Sequence, residues 1–251
     1  MAPPGRRLRR VIPPQLTVVA VALAISGCSA ISSAGVSDDD QPGTNAASGP
    51  VVSVGSQTGD IQPGDIVGSR PATVAVVGDS ITVASAELLD EELSALGLEV
   101  VAIDAQVGRR MTVGELDRLY TGSDIAALVA NQSSPELWVF ALGTNDVGQY
   151  DDVDQVVEQI EALLGRIPSD DPVVWVDTWV RDRPEQTDRV NTAIRTVIER
   201  RPGSSVVAWS EHAADPGVIS GDGVHLTTEV GVRRFADVVI TGVESLIGPA
   251  T

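Results

Sequence analysis

The chain has 251 residues, enough for one α/β domain with extensions, and its 35 acidic residues against 17 basic ones give a net charge of −18. All 17 basic residues are arginine, and there are one cysteine and two histidines. These counts exclude a P-loop lysine, a Schiff-base lysine, a Ser–Lys dyad, an internal disulfide and Cys-rich or three-His zinc sites.

Read from the N-terminus, Met1 to Gly27 carries Arg6, Arg7, Arg9 and Arg10, then an apolar run from Leu16 to Ile25, then small residues. This is the pattern of a signal peptide, residues 1–27. The run is short of the ~20 apolar residues that span a bilayer, which makes a transmembrane helix the weaker reading. Ile25-Ser26-Gly27-Cys28 resembles the lipobox of bacterial lipoproteins. The resemblance implies cleavage before Cys28, lipidation of its thiol, and an extracytoplasmic protein held to the cell membrane by a lipid anchor. A plain signal peptide that happens to contain a cysteine is the alternative. Without the four leader arginines, 13 bases face 35 acids, a charge of −22. Such a surface repels phosphate backbones, so no nucleic-acid partner is expected. It disfavours anionic headgroups too, leaving the lipid as the membrane contact.

Residues 28–70 are rich in Gly, Ser, Ala, Asp and Pro, with little apolar periodicity. They read as a disordered tether, reaching roughly 35 Å as a flexible coil. An edge strand over Val51 to Val54 is the alternative there. The domain is expected over residues 71–251. Five apolar, β-rich runs follow: Thr73 to Val77, Leu98 to Ile103, Leu137 to Leu142, Val173 to Val176 and Ser205 to Trp209. Between and after them lie helical periods at Leu88 to Leu96, Val153 to Leu164, Val190 to Ile198 and Phe235 to Val243. Apolar strands alternating with amphipathic helices predict a parallel sheet covered on both faces, a three-layer α/β/α sandwich.

In such sheets, ligands collect beyond the carboxyl ends of the strands. The first run is followed by Gly78-Asp79-Ser80 and the second by Asp104 to Arg109, which includes Gly108. The third is followed by Gly143-Thr144-Asn145-Asp146, and the fifth, beyond a loop, by Asp222-Gly223-Val224-His225. Four polar or glycine motifs therefore converge on one edge. Ser80 falls where a strand yields to a helix, whose N-terminus favours a developing anion. His225 is the better base of the two histidines, and Asp222, three residues earlier, is placed to orient its ring. The Ser80 and Gly108 backbone N–H groups and the Asn145 side-chain amide are candidate oxyanion donors.

Together these blocks resemble those of the SGNH/GDSL hydrolases. The resemblance spans about residues 71–246 and implies an SGNH, flavodoxin-like fold with a five-stranded parallel sheet. It also implies a serine nucleophile at Ser80, a His225 base, Asp222 as its partner, and an oxyanion hole from Ser80, Gly108 and Asn145. Gly97 and Gly114 compete for the Gly108 role, and Ile81 stands where many members have leucine. The stretches Val107 to Arg110 and Asp222 to Thr227 look closest to SGNH domains found with membrane acyltransferases that modify cell-surface glycans.

The bland readings make Ser80 a helix cap, Asn145 a turn residue, Asp146 a cap, and Asp222-Gly223 a turn. His212 is expected to be structural or at the rim. Asp79 is expected to brace the Ser80 turn. Trp179 and Arg181 follow the fourth strand on the active edge, where an acyl or sugar platform competes with core packing; for Trp175, core packing is favoured. Arg109 is a candidate for binding an anionic substrate group, with a surface or helix-start role as the alternative. Asp151 to Asp154 lacks a calcium-loop spacing and suits a first helical turn. The expectation is a serine esterase without metal or cofactor, acting on short acyl esters of envelope glycans, lipids or small molecules. An O-acyltransferase using the same serine, and a silent glycan- or partner-binding module, are the alternatives.

Overall fold

A computed structural model describes residues 70–114 and 120–248. The leader, Cys28, the tether and Val51 to Val54 lie outside the described residues. Each of the five apolar runs forms a strand: β1 (Thr73–Gly78), β2 (Glu99–Ala105), β3 (Leu137–Ala141), β4 (Val173–Val176) and β5 (Ser205–Val207). All pair in parallel in the order β2-β1-β3-β4-β5, the doubly wound arrangement expected from the alternating pattern. The helices are α1 (Ser80–Ala95), α2 (Gly122–Ser133), α3 (Val153–Leu164), α4 (Pro184–Ile198), α5 (Trp209–Ala213) and α6 (Val230–Ile247), with one 3-10 turn at Thr144–Asp146.

Successive strand residues face opposite sides of the sheet, and both sides are apolar. Val74 and Val76 meet Leu89 and Leu93 of α1 and Phe235, Val239 and Val243 of α6. Ala75 and Val77 belong to the other core, with Ile125 of α2, Ile160 and Leu163 of α3, and Val190 and Ile194 of α4. Trp138, Phe140 and Trp175 pack in series across this second core, with ring centroids 5.7 and 5.2 Å apart. Trp175 is a core residue, as its strand position suggests, and its indole donates to the Leu142 carbonyl at 3.1 Å.

Two departures from the sequence reading have local causes. The helix α2 is Ala-rich, so its apolar stripe is short, but a capping box between Thr121 and Asp124 starts it. The fifth apolar run stops as a strand at Val207, and Trp209 opens α5. The buried Asp177 carboxylate, just past β4, accepts from both Ser210 N–H and Ser210 Oγ at 2.7 Å, which turns the chain into that helix. Trp209 then packs edge-on against Phe235.

Candidate active site

The turn from β1 into α1 is tight. A Cβ at Gly78 would lie 2.0 Å from Thr82 Oγ1, so no larger residue fits without rearrangement. Asp79 caps α1, its Oδ1 accepting from Ile81 N–H at 3.0 Å. Ser80 is thereby the first residue of the helix, its hydroxyl at the positive end of the helix dipole. Asp79 braces the turn as expected, and it is almost wholly buried. Burial pushes its carboxyl up to about 6, against the opposing effects of Ile81 N–H and the Thr144 hydroxyl; Asp146 adds a further rise and His225 opposes it.

His225 reaches Ser80 from 145 residues away, with Nε2 3.1 Å from Ser80 Oγ. Its Nδ1 lies 2.8 Å from Asp222 Oδ2. The other oxygen of Asp222 accepts from Ser220 Oγ at 2.7 Å and from the backbone N–H groups of Val224 and His225 at 2.9 Å each. Those donors, the two backbone groups foremost, hold the Asp222 carboxyl well below its ordinary value, so it stays an anion although its side chain is half exposed. The loop closes through Ser220 N–H to the His225 carbonyl at 2.7 Å and an antiparallel bridge between Ile219 and Leu226. Gly223 takes φ +78° within it, and a Cβ there would lie 2.9 Å from Arg181 Cβ. A serine hydroxyl, an imidazole and a carboxylate are thus aligned for proton transfer.

Gly108 and Asn145 lie at the same carboxyl edge of the sheet. Gly108 follows β2 at the carboxyl edge with φ +80°, a conformation that glycine adopts without strain. Gly97 precedes β2 and so lies at the other end of the sheet. Asn145, on the 3-10 turn after β3, donates one amide hydrogen to the Arg109 carbonyl at 3.0 Å, which ties its turn to the Gly108 loop. An amide has a second hydrogen, so one donor remains for a substrate oxygen.

Arg109 corrects the sequence reading. It is only 2% exposed and faces inward rather than toward a substrate anion. Its guanidinium donates to the Gly78 carbonyl at 3.0 Å, the Asp104 carbonyl at 2.6 Å and the Tyr120 carbonyl at 3.2 Å, and it pairs with Asp104 Oδ1. One side chain therefore locks the Gly108 loop to the glycine that precedes Asp79 and Ser80. Its planar fork of donors suits several carbonyls at once.

Asp146 does more than cap a turn. Fully buried, it accepts from Arg110 Nε at 3.2 Å and Met111 N–H at 3.1 Å, fastening the Asn145 turn to the segment after β2. Burial raises its carboxyl, and the Arg110 charge opposes that rise. Thr144, beside it, shares a 2.8 Å hydrogen bond with Thr178. The sequence reading missed these roles of Asp146, Thr144 and Asp177, because only burial reveals them. His212, in α5, contacts Arg234 at 3.2 Å. Trp179 is half-buried against the first core, with its Nε1 buried and unpartnered. Among the described residues, no group of three or more His, Cys, Asp or Glu side chains is arranged to hold a metal ion, and no helix is long and apolar enough to cross a membrane.

The model of the GDSL-like lipase/acylhydrolase family matches residues 76–230, a span that contains Ser80, Gly108, Asn145, Asp222 and His225. Solved structures with the same fold include the catalytic domain of Streptococcus pneumoniae peptidoglycan O-acetyltransferase A (TM-score 0.53, 22% identity, covering 71% of this chain and 96% of that one). They also include TesA (TM-score 0.58, 18% identity, 69% and 99% covered) and a carbohydrate acetylesterase family member from Sinorhizobium meliloti (TM-score 0.52, 19% identity, 70% and 99% covered). No curated protein matches the chain significantly.

Proposed function

Because the chain belongs to the GDSL-like lipase/acylhydrolase family, we propose that it is a serine esterase that removes short acyl groups, of the acetyl kind, from glycans or lipids of the cell envelope. The observation that carries this reading is the continuous Ser80–His225–Asp222 alignment, 3.1 and 2.8 Å at its two junctions.

In the reaction, Ser80 Oγ attacks the ester carbonyl carbon while His225 Nε2 takes the hydroxyl proton. Asp222 holds the ring with Nδ1–H toward itself and stabilises the imidazolium that forms. The carbonyl oxygen becomes an oxyanion, received by the Ser80 and Gly108 N–H groups and the free Asn145 hydrogen. As the intermediate collapses, the C–O bond to the alcohol breaks and His225 returns its proton to the departing oxygen. An acyl ester remains on Ser80. Water then adds to it with His225 as base, the acid leaves, and Ser80 recovers its proton.

The His225 and Asp222 side chains are each 51% exposed, so the reacting edge is open to solvent. An open edge suits an ester displayed on a polymer or surface larger than the protein's own clefts. Delivery of the acyl group to a sugar hydroxyl in place of water uses the same acyl-enzyme; the likeness to an O-acetyltransferase domain favours including that acceptor. Lipidation at Cys28 and a tether over residues 28–70 complete the proposal, placing the domain outside the cell near its substrate.

Turnover of p-nitrophenyl acetate by the wild-type chain, Ser80→Ala and His225→Ala tests the assignment. The reading expects each substitution to lower kcat by at least about a thousandfold. Equal rates in all three proteins would refute it.

A further inference from the structure

Beside the catalytic loop is a pocket of about 220 Å³ whose walls include Trp179, Arg181, Asp215, Pro216 and Ile219. We infer that it is a subsite for a carboxylate-bearing sugar unit of the ester substrate, a specificity determinant that rests on the esterase reading above.

The pocket is joined to the reacting groups by direct bonds. Arg181 N–H donates to the Gly223 carbonyl at 3.0 Å, and its Nη2 donates to the Ser220 carbonyl at 3.2 Å. Gly223 packs so closely on Arg181 that the arginine stem and the His225 loop form one surface. Ile219, on the far wall, pairs with Leu226 next to His225. Trp179, on the other wall, also borders the small cavity lined by Asp79, the residue before Ser80. A ligand held here lies against the loop that carries His225.

The chemistry of the walls selects the ligand class. The volume lies below the ~300 Å³ at which drug-sized pockets begin, and matches one sugar ring. Trp179 keeps its Nε1 buried on the core side and offers apolar ring surface, the kind of face on which the C–H side of a pyranose packs. Arg181 forms no ion pair with any described carboxylate, and a guanidinium offers five donors, of which the protein uses one here. The carboxylate in the pocket, Asp215, is already paired with Arg234 at 3.0 Å and so does not claim Arg181. The neighbouring Asp182 is exposed. A guanidinium without a carboxylate partner, beside the reacting loop of a chain with 35 acids and 17 bases, is suited to a substrate carboxylate, which it can hold by two parallel hydrogen bonds.

The test uses methyl glucuronoside and methyl glucoside, which differ by the carboxylate, and their monoacetyl esters. Binding of the two free glycosides to the full chain carrying Ser80→Ala is measured first. A charge-assisted contact predicts about tenfold or greater preference for the glucuronoside. Adding Arg181→Gln should erase that preference, and Arg181→Lys should restore part of it. Hydrolysis of the two acetyl esters by the chain with Ser80 intact should show the same preference in KM more than in kcat. Equal affinity for both glycosides, or a preference untouched by Arg181→Gln, overturns the subsite. If the acetyl esters resist hydrolysis while the Arg181-dependent preference persists, the esterase reading falls and the anionic sugar site stands.

Discussion

Asp79 offers a quantitative test of how the serine turn is built. Its carboxyl is sealed from water, with one oxygen bonded to Ile81 N–H at 3.0 Å and the other without a partner. The Thr144 hydroxyl nearby is bonded to Thr178. Burial dominates these weak compensations and lifts the carboxyl from its ordinary 3.8 to about 6. The folded protein therefore keeps this proton at pH values where the unfolded chain has lost it. The corresponding stability is fully present below about 3.8 and is lost as pH rises through about 6. The rise corresponds to roughly 3 kcal/mol. In Asp79→Asn the amide carbonyl still accepts from Ile81 N–H, but nothing at the site ionises. Urea unfolding of both proteins at pH 4, 5.5 and 7.5 should show the stability of the variant, relative to wild type, climbing by about 2–3 kcal/mol across the series. Asp177 is also raised by burial but is not among the groups that shift Asp79, so it cancels in the difference; Asp146, which adds to the rise of Asp79, contributes to the change itself. A gap that stays constant with pH would refute the reasoning.

Three further outcomes follow from the geometry. Asn145→Ala removes one oxyanion donor and should lower kcat on p-nitrophenyl acetate by about 10²–10³ with a small change in KM; an effect confined to KM would contradict the oxyanion role. Asp222→Asn takes away the anion that orients His225 and should cost about 10²–10⁴ in kcat, read in the same assay; near wild-type turnover would dismiss Asp222 as the orienting group. Arg109→Met leaves the Gly78, Asp104 and Tyr120 carbonyls without their donor and should destabilise the fold by about 3 kcal/mol or more, visible as a lowered Tm. An unchanged Tm would return Arg109 to the surface role from which its burial removes it.

Strands β1, β3 and β4 were legible in the sequence because both faces of the sheet are buried there, so each is an unbroken apolar run; β2, at the sheet edge and only partly buried, still showed the apolar stretch Val100 to Ile103. The helix α2 was not legible, because alanines at Ala126, Ala127 and Ala130 blur its stripe; Thr121 and Asp124, the capping pair, were the signal available. Trp209 continued an apolar run that Asp177, at the end of the neighbouring strand β4, cuts short, a tertiary contact with no local trace. For the site, motifs on one sheet edge were enough to predict that Ser80, Asp222 and His225 would meet and that Gly108 and Asn145 would lie at the same edge. Spacing gave no direction for Arg109: a guanidinium beside a glycine loop reads equally as an anion grip or as a strut, and only the three inward carbonyls decide. The bracing by Asp146 was invisible for the same reason, since its charge is neutralised by Arg110 from a different loop.

The claim that one serine is activated by His225 is tested most directly by covalent labelling. A fluorophosphonate probe is reacted with the folded chain, and the modified peptide is identified by mass spectrometry. The account predicts a single adduct, on Ser80, formed far more slowly in His225→Ala. An adduct elsewhere, or an unreactive Ser80 in a protein that is otherwise folded, would contradict it.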